Sequence, residues 1–218
     1  MDHNSFLKRF KQKGLTVVAV SKTKAAEQIQ KVYDSGHLDF GENKVQELTG
    51  KYEVLPKDIR WHFIGHLQRN KIKYIAPFIH MIHSVDSLRL LETIDEHARK
   101  NNRVIKILLQ VKIAKEETKF GLDADKVYPI IEDFVSNKYP NIKICGLMGM
   151  ASFTDDVKQI DSEFAFLHDL FIELKEVYLD RAYYFKELSI GMSGDYEIAL
   201  EHGATLLRVG TLIFGQRY

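Results

Sequence analysis

The sequence predicts an α/β fold, a single (β/α)8 barrel of the TIM type, and three observations carry that expectation. Apolar runs rich in β-branched residues alternate with helix-like stretches from end to end; the runs number eight; and no Pro/Gly/Ser-rich linker or low-complexity tract divides the 218 residues. Alternating β and α with short connections argues for a parallel sheet, and eight such units argue for its closure. A doubly wound open sheet is the alternative, since 218 residues lies near the short end for a barrel. One domain is expected at 15–218, behind a helical segment at 1–14 that sets Phe6, Leu7 and Phe10 on one side.

The first four expected strands are 15–21 ("LTVVAVS"), 38–42 ("LDFGE"), 60–65 ("RWHFIG") and 81–85 ("MIHSV"). The others are 104–113 ("VIKILLQVKI"), 142–150 ("IKICGLMGM"), 186–192 ("KELSIGM") and 205–215 ("TLLRVGTLIFG"). Between them, apolar residues recur three and four apart, the period of a helix with one buried face. "AAEQIQKVYDSG" ends on Gly36, a helix stop, and "SLRLLETIDEHARKNN" opens on a Ser87 cap. "NKVQELTGKY", "DADKVYPIIEDFVSNKY" and "DSEFAFLHDLFIELKEVYL" read the same way, while the fourth connector, "NKIKYIAPFIH", is short.

Bulk composition narrows the function classes. At 45% hydrophobic residues the chain can bury a sizeable core. Lys+Arg 31 against Asp+Glu 30 leaves no basic excess to attract nucleic acid. The lone Cys145 sits in an apolar run and reads as a core residue; one cysteine forms no internal disulfide, which fits a reducing compartment. The opening residues lack the apolar core of about 7–15 residues that marks a signal peptide. No apolar run approaches the ~18 residues of a membrane span. A cytoplasmic protein is expected.

Barrel active sites form where the strands end at their C-termini, and here the unusual polar residues fall at those ends. Lys22 closes the first strand; "FGEN", "FIGHLQ", "HSVDS", "GLMGMAS", "SIGMSGD" and "RVGT" close others. Asn43, Ser87 and Ser193 also suit helix caps. His62 and His66 lie four apart, which on a strand is roughly 13 Å, too far for one metal ion. No metal site is expected. Glu42 is a possible general base without an identifiable acid partner, and Asp155–Asp156 reads as solvated. Arg208, inside an apolar run, needs a partner or ligand if buried. Small and hydroxyl residues at 191–195 and 209–211 suit a phosphate, which barrels commonly bind after strands seven and eight. A lysine, an arginine and a phosphate site together describe an aldehyde carrying a phosphate and a heteroaromatic ring, and pyridoxal phosphate fits.

Seven segments in order, "AVSKTK", "FGENKVQE", "WHFIGHLQRNK", "HSVDS", "GLMGMA", "GMSGD" and "LRVGTLIFG", resemble the successive signatures of the pyridoxal phosphate homeostasis protein family. The similarity runs from about residue 15 to 218. That family is similar to the N-terminal barrel domain of alanine racemase, a fold type III pyridoxal phosphate protein, without the racemase's second domain. The resemblance implies that Lys22 holds pyridoxal phosphate through a Schiff base and that Arg208 faces the pyridine nitrogen. It implies a pocket role for Asn43, a phosphate cradle of Ser193, Gly210 and Thr211 with Met192 beside it, and a rim position for His66. Lys24 is the rival amine. Two departures stand out: Ala25 replaces the proline usual after "SKTK", and "MASF" lacks the proline usual after "MA".

The implied role is intracellular pyridoxal phosphate homeostasis and delivery, affecting amino- and keto-acid balance, by a protein that is not an enzyme. Implied partners are the cofactor and pyridoxal phosphate-dependent apoenzymes; neither nucleic acid nor membrane is expected, and the chain is expected to be a monomer. The rival readings are a pyridoxal phosphate-dependent amino-acid racemase on the same barrel and a cofactor-free aldolase using Lys22.

Overall fold

A computed structural model describes residues 3–116, 120–177 and 184–216. Its eight strands are β1 (Thr16–Val20), β2 (Asp39–Glu42), β3 (Arg60–Phe63), β4 (Met81–Val85), β5 (Ile105–Gln110), β6 (Ile142–Met148), β7 (Glu187–Ser189) and β8 (Leu206–Val209). They pair in sequence order, all parallel, and β1 closes on β8 with Val18 opposite Arg208. The open-sheet alternative is thereby excluded. The helices are α1 (His3–Gln12), α2 (Ala26–Asp34), α3 (Val45–Val54), α4 (Ile72–Ile75), α5 (Leu88–Lys100), α6 (Val127–Val135), α7 (Val157–Val177), α8 (Tyr196–Glu201) and α9 (Thr211–Phe214).

Alternation along each strand sorts the core into two parts. Outward residues such as Val17, Ala19, Phe40, Trp61, Phe63 and Ile82 pack under the helices in the larger cluster. Inward residues Val18, Met81, Leu108, Cys145, Met148 and Leu206 form a smaller apolar cluster inside the barrel. Cys145 is thus a core residue, and burial pushes its thiol up to about 11. At α1, Phe6, Leu7 and Phe10 are buried, and Phe6 and Phe10 meet Tyr196 edge-on at 5.6 and 5.9 Å. Each such burial contributes roughly 1.5–3 kcal/mol. Close strand approach fixes one glycine: a Cβ on Gly146, at φ +151°, would lie 1.8 Å from the Glu187 carbonyl oxygen.

Several local expectations change. The run 205–215 is not one strand: β8 stops at Val209, and Thr211–Phe214 form α9 with Ile213 buried and Leu212 exposed. Short apolar runs fit strand and helix alike, and only the pairing with β1, which ends at Val209, settles the boundary. Ser87 caps α5, accepting from the Leu90 N–H at 3.3 Å. Asn43 and Ser193 do not cap: α3 and α8 begin after Lys44 and Asp195, neither with a side-chain cap bond. Asp156 is exposed but accepts from the Lys158 and Gln159 N–H groups at the start of α7. The fourth connector holds a 3-10 turn and the four-residue α4. Residues 1–2 and the end of the expected seventh helix at 178–179 lie outside the described residues. Among the described residues no helix is long and apolar enough to cross a membrane.

Candidate functional site

Lys22 follows the last residue of the β1 ladder. The Ser21 N–H still donates to the Gly41 carbonyl at 3.0 Å, after which the chain turns. Lys22 is half-buried and keeps the parity of Val18, an interior residue. The turn continues through Thr23 at φ +66°, a left-handed conformation uncommon for a β-branched residue. Two side chains hold it there. Lys51 Nζ donates to the Ser21 carbonyl at 2.7 Å, and Glu47 Oε1 accepts from the Thr23 N–H at 2.6 Å. These bonds grip the peptide groups on both sides of Lys22. Lys51 also pairs with Glu47 at 2.6 Å and Glu42 at 2.7 Å, making clamp and brace one network. Lys24 points elsewhere, donating to the Phe214 carbonyl at 3.3 Å.

Glu42 does not reach the mouth of the barrel. It shares the outward parity of Phe40, is wholly buried beside α3, and accepts from the Ser21 hydroxyl at 2.5 Å. Burial raises its carboxyl against the pull of Lys51 and Ser21. Its place is structural, beneath the Lys22 turn, where it does not act as a general base at the mouth.

Arg208 points inward from β8 and is 4% exposed. Nη1 donates to the Ser189 carbonyl and hydroxyl, each at 2.6 Å, and Nη2 donates to the Gly149 carbonyl at 2.8 Å. All three acceptors are uncharged. Burial brings the guanidinium down to about 10, opposed by the charge of Asp195, so it remains cationic at neutral pH. The 191–195 segment lies alongside: the Arg208 N–H donates to the Gly191 carbonyl, and Gly191 takes φ +88° to turn the chain. Ser193 is half-buried, and the space around Gly194 is open. Exposed Met192 commits its N–H to the Asp195 carboxylate at 2.5 Å. Gly210 precedes α9, and a Cβ there would meet the Val20 carbonyl oxygen at 3.3 Å; Thr211 is exposed at the start of that helix.

β7, β8 and β1 are neighbours, so Lys22, Ser193, Arg208, Gly210 and Thr211 stand on one side of the mouth. Asn43 leaves β2 and touches the β3 exit, where a Cβ on Gly65 would lie 2.3 Å from the Asn43 carbonyl oxygen. His66 stands apart toward β4 and β5. Its Nδ1 is 3.2 Å from Asp86 Oδ2, and its ring stacks on Phe120 at 4.1 Å. Sequence reasoning missed His83, Ser189 and Asp39, and treated His62 only as half of a metal pair. His83 is wholly buried, and its inward parity on "MIHSV" was the available signal.

The profile of the alanine racemase N-terminal domain matches residues 3–218. A pyridoxal phosphate homeostasis protein of Aquifex aeolicus is 39% identical over 202 residues, covering 92% of this chain and 86% of that one. The chain belongs to the pyridoxal phosphate homeostasis protein family. A solved structure agrees: PipY of Synechococcus elongatus PCC7942, without PLP, superposes with a TM-score of 0.89 at 33% identity, covering 98% of this chain and all of that one. The same protein with PLP bound gives 0.86 at 32% identity. Alanine racemase from Streptomyces lavendulae shares the fold at 14% identity, with a TM-score of 0.77, and is matched over 56% of its length. Homeostasis-family members thus use the racemase barrel fold on a shorter chain.

Proposed function

We propose that this protein binds pyridoxal phosphate at the C-terminal mouth of its barrel and holds it for intracellular delivery rather than catalysis. The observation that carries the reading is Arg208, a buried cation whose hydrogen bonds all go to uncharged acceptors, on the strand next to the one that ends in the clamped lysine. When bound, the cofactor supplies an aldehyde that condenses with an amine and a ring that acts as an electron sink. Lys22 offers the amine at the end of β1. Arg208 offers the ring nitrogen a donor that does not give up its proton, which keeps that nitrogen unprotonated and the sink weak. Ser193, Gly210 and Thr211 offer hydroxyl and N–H groups to the phosphate. Asn43 lines the β2 side, with Met192 and His66 at the rim. Support comes from PipY, a relative solved with PLP bound.

The racemase reading needs a second base opposite Lys22. Tyr52 is stacked on Phe78 at 3.8 Å, Tyr196 packs on Phe6 and Phe10, and Tyr74 is half exposed beside Lys71 and Lys73. None of these placements favours that role. A positioned base contributes about 10²–10⁴-fold in rate, so the carrier reading expects negligible turnover. The test is incubation of loaded protein with L-amino acids in heavy water. Retained α-protons and no D-enantiomer support a carrier; Lys22-dependent exchange at roughly 1 s⁻¹ or above makes it a racemase. Protein that never turns yellow with added pyridoxal phosphate points instead to cofactor-free chemistry at Lys22.

A further inference from the structure

A line of buried polar side chains crosses the barrel from its floor to Arg208. Asp39 Oδ1 on β2 lies 3.1 Å from His62 Nε2 on β3, and His62 Nδ1 lies 2.8 Å from His83 Nε2 on β4. His83 Nδ1 lies 3.1 Å from Ser189 Oγ on β7, which accepts from Arg208 Nη1 on β8. None of the five residues is more than 7% exposed. The hydrophobic cluster of Val18, Met81, Leu108 and Met148 fills the rest of the interior.

We propose that Asp39, His62, His83 and Ser189 form a proton-ordered chain that positions Arg208 against the ligand at the mouth; the ligand's identity rests on the reading above. Donor and acceptor chemistry dictates the order. Arginine only donates, so Ser189 Oγ accepts from Nη1 and turns its own hydrogen to His83 Nδ1. His83 therefore carries its proton on Nε2 and gives it to His62 Nδ1. His62 carries its proton on Nε2 and gives it to the ionised Asp39 carboxylate. Starting from Asp39 yields the same assignment, with both imidazoles neutral, no bond lacking a proton and none holding two. Burial first, and then the charge of Arg208, hold His83 well below its usual range, in keeping with a neutral ring. Every dipole points its negative end toward Arg208, which stabilises a cation far from water. Reversing the order would set the His83 Nδ1–H against the Ser189 oxygen and deprive the serine hydrogen of that acceptor. Asp39, anchored also by Arg60, is the group that forbids the reversal. These are positioning residues, acting through Arg208.

Nitrogen-15 spectra of the imidazoles and guanidinium of the unloaded full-length protein test this directly, with His62→Gln and His83→Gln assigning the signals. At neutral pH both rings should be neutral Nε2–H tautomers, and the Arg208 Nη groups should rotate slowly. Ser189→Ala should free that rotation and weaken pyridoxal phosphate binding roughly tenfold or more, the effect of losing a hydrogen bond to a charged group; Ser189→Thr should restore both. An Nδ1–H or doubly protonated ring at either histidine overturns the chain. Unchanged Arg208 rotation in Ser189→Ala overturns the positioning role. Should the wild-type protein bind no pyridoxal phosphate, the reading of the mouth fails, while the tautomers and the rotation still decide the chain.

Discussion

Replacing Lys51 with methionine tests the clamp beneath Lys22. The Lys51 side chain is 9% exposed, and its ammonium pairs with a Glu42 side chain that is 0% exposed and holds the Ser21 carbonyl as well. Methionine keeps most of the volume but leaves Glu42 charged and without its cation. Removing one member of a buried pair costs about 3–5 kcal/mol. Urea slopes for small proteins run about 1–3 kcal/mol per molar, so the unfolding midpoint should fall by roughly 1–5 M. The loss should depend on pH. Burial raises the Glu42 carboxyl, so its ionisation opposes folding; the associated stability is present below the ordinary carboxylate range and is lost as pH rises through the folded value. Removing Lys51 raises that value further, so the deficit should be small below the ordinary carboxylate range and grow as pH rises above it. Combining Glu42→Gln with Lys51→Met should recover stability but not cofactor affinity, because the Ser21 carbonyl stays unheld. A Lys51→Met protein within about 0.5 kcal/mol of wild type at pH 8 would refute the reasoning.

Other outcomes follow from the same geometry. At Asp39, burial would raise the carboxyl, but the hydrogen bonds from His62 and Arg60 and the charge of Arg60 prevail and hold it at about 2, against an ordinary 3.8. That displacement is worth about 2 kcal/mol at neutral pH, lost as pH falls from about 4 through about 2; Asp39→Asn should remove that acid limb in calorimetry, and an unchanged limb would contradict it. Pyridoxal lacking its phosphate should bind on the order of a hundredfold more weakly than the phosphate, as expected for two lost charge-assisted hydrogen bonds; equal affinities by titration would remove Ser193, Gly210 and Thr211 from a phosphate role. Gly65→Ala would set a Cβ 2.3 Å from the Asn43 carbonyl oxygen. It should cost about 1–3 kcal/mol and weaken cofactor binding through Asn43, and a variant with unaltered melting and affinity would show that this contact is dispensable.

The barrel was legible because each strand carries its own apolar run and each helix its own period, both local properties. The end of β8 was not: "TLLRVGTLIFG" is apolar throughout, and only register with β1 shows that the ladder stops before Gly210. Lys22 and Arg208 stood out as charges in apolar runs, a local anomaly that sequence displays. The network around them did not stand out, because Lys51 sits on a helix where a lysine is unremarkable, and His83 finds Ser189 across the barrel 106 residues away. Glu42 read as a possible general base because the sequence shows a carboxylate at a strand end but not that Phe40, two residues before it on the same face, packs outward. The resemblance implied a rim position for His66; its partners Asp86 and Phe120, from the β4 and β5 exits, are a pairing no motif spells out.

The central claim is that Lys22, held by Lys51 and Glu47, is the amine that takes up pyridoxal phosphate. Loading the full-length protein, reducing it with borohydride and mapping the peptides by mass addresses the claim most directly. The pyridoxyl group should sit on the peptide containing Lys22, and Lys22→Ala should stay colourless and unlabelled. A label found mainly on Lys24 or elsewhere, with Lys22→Ala still yellow, would contradict the account.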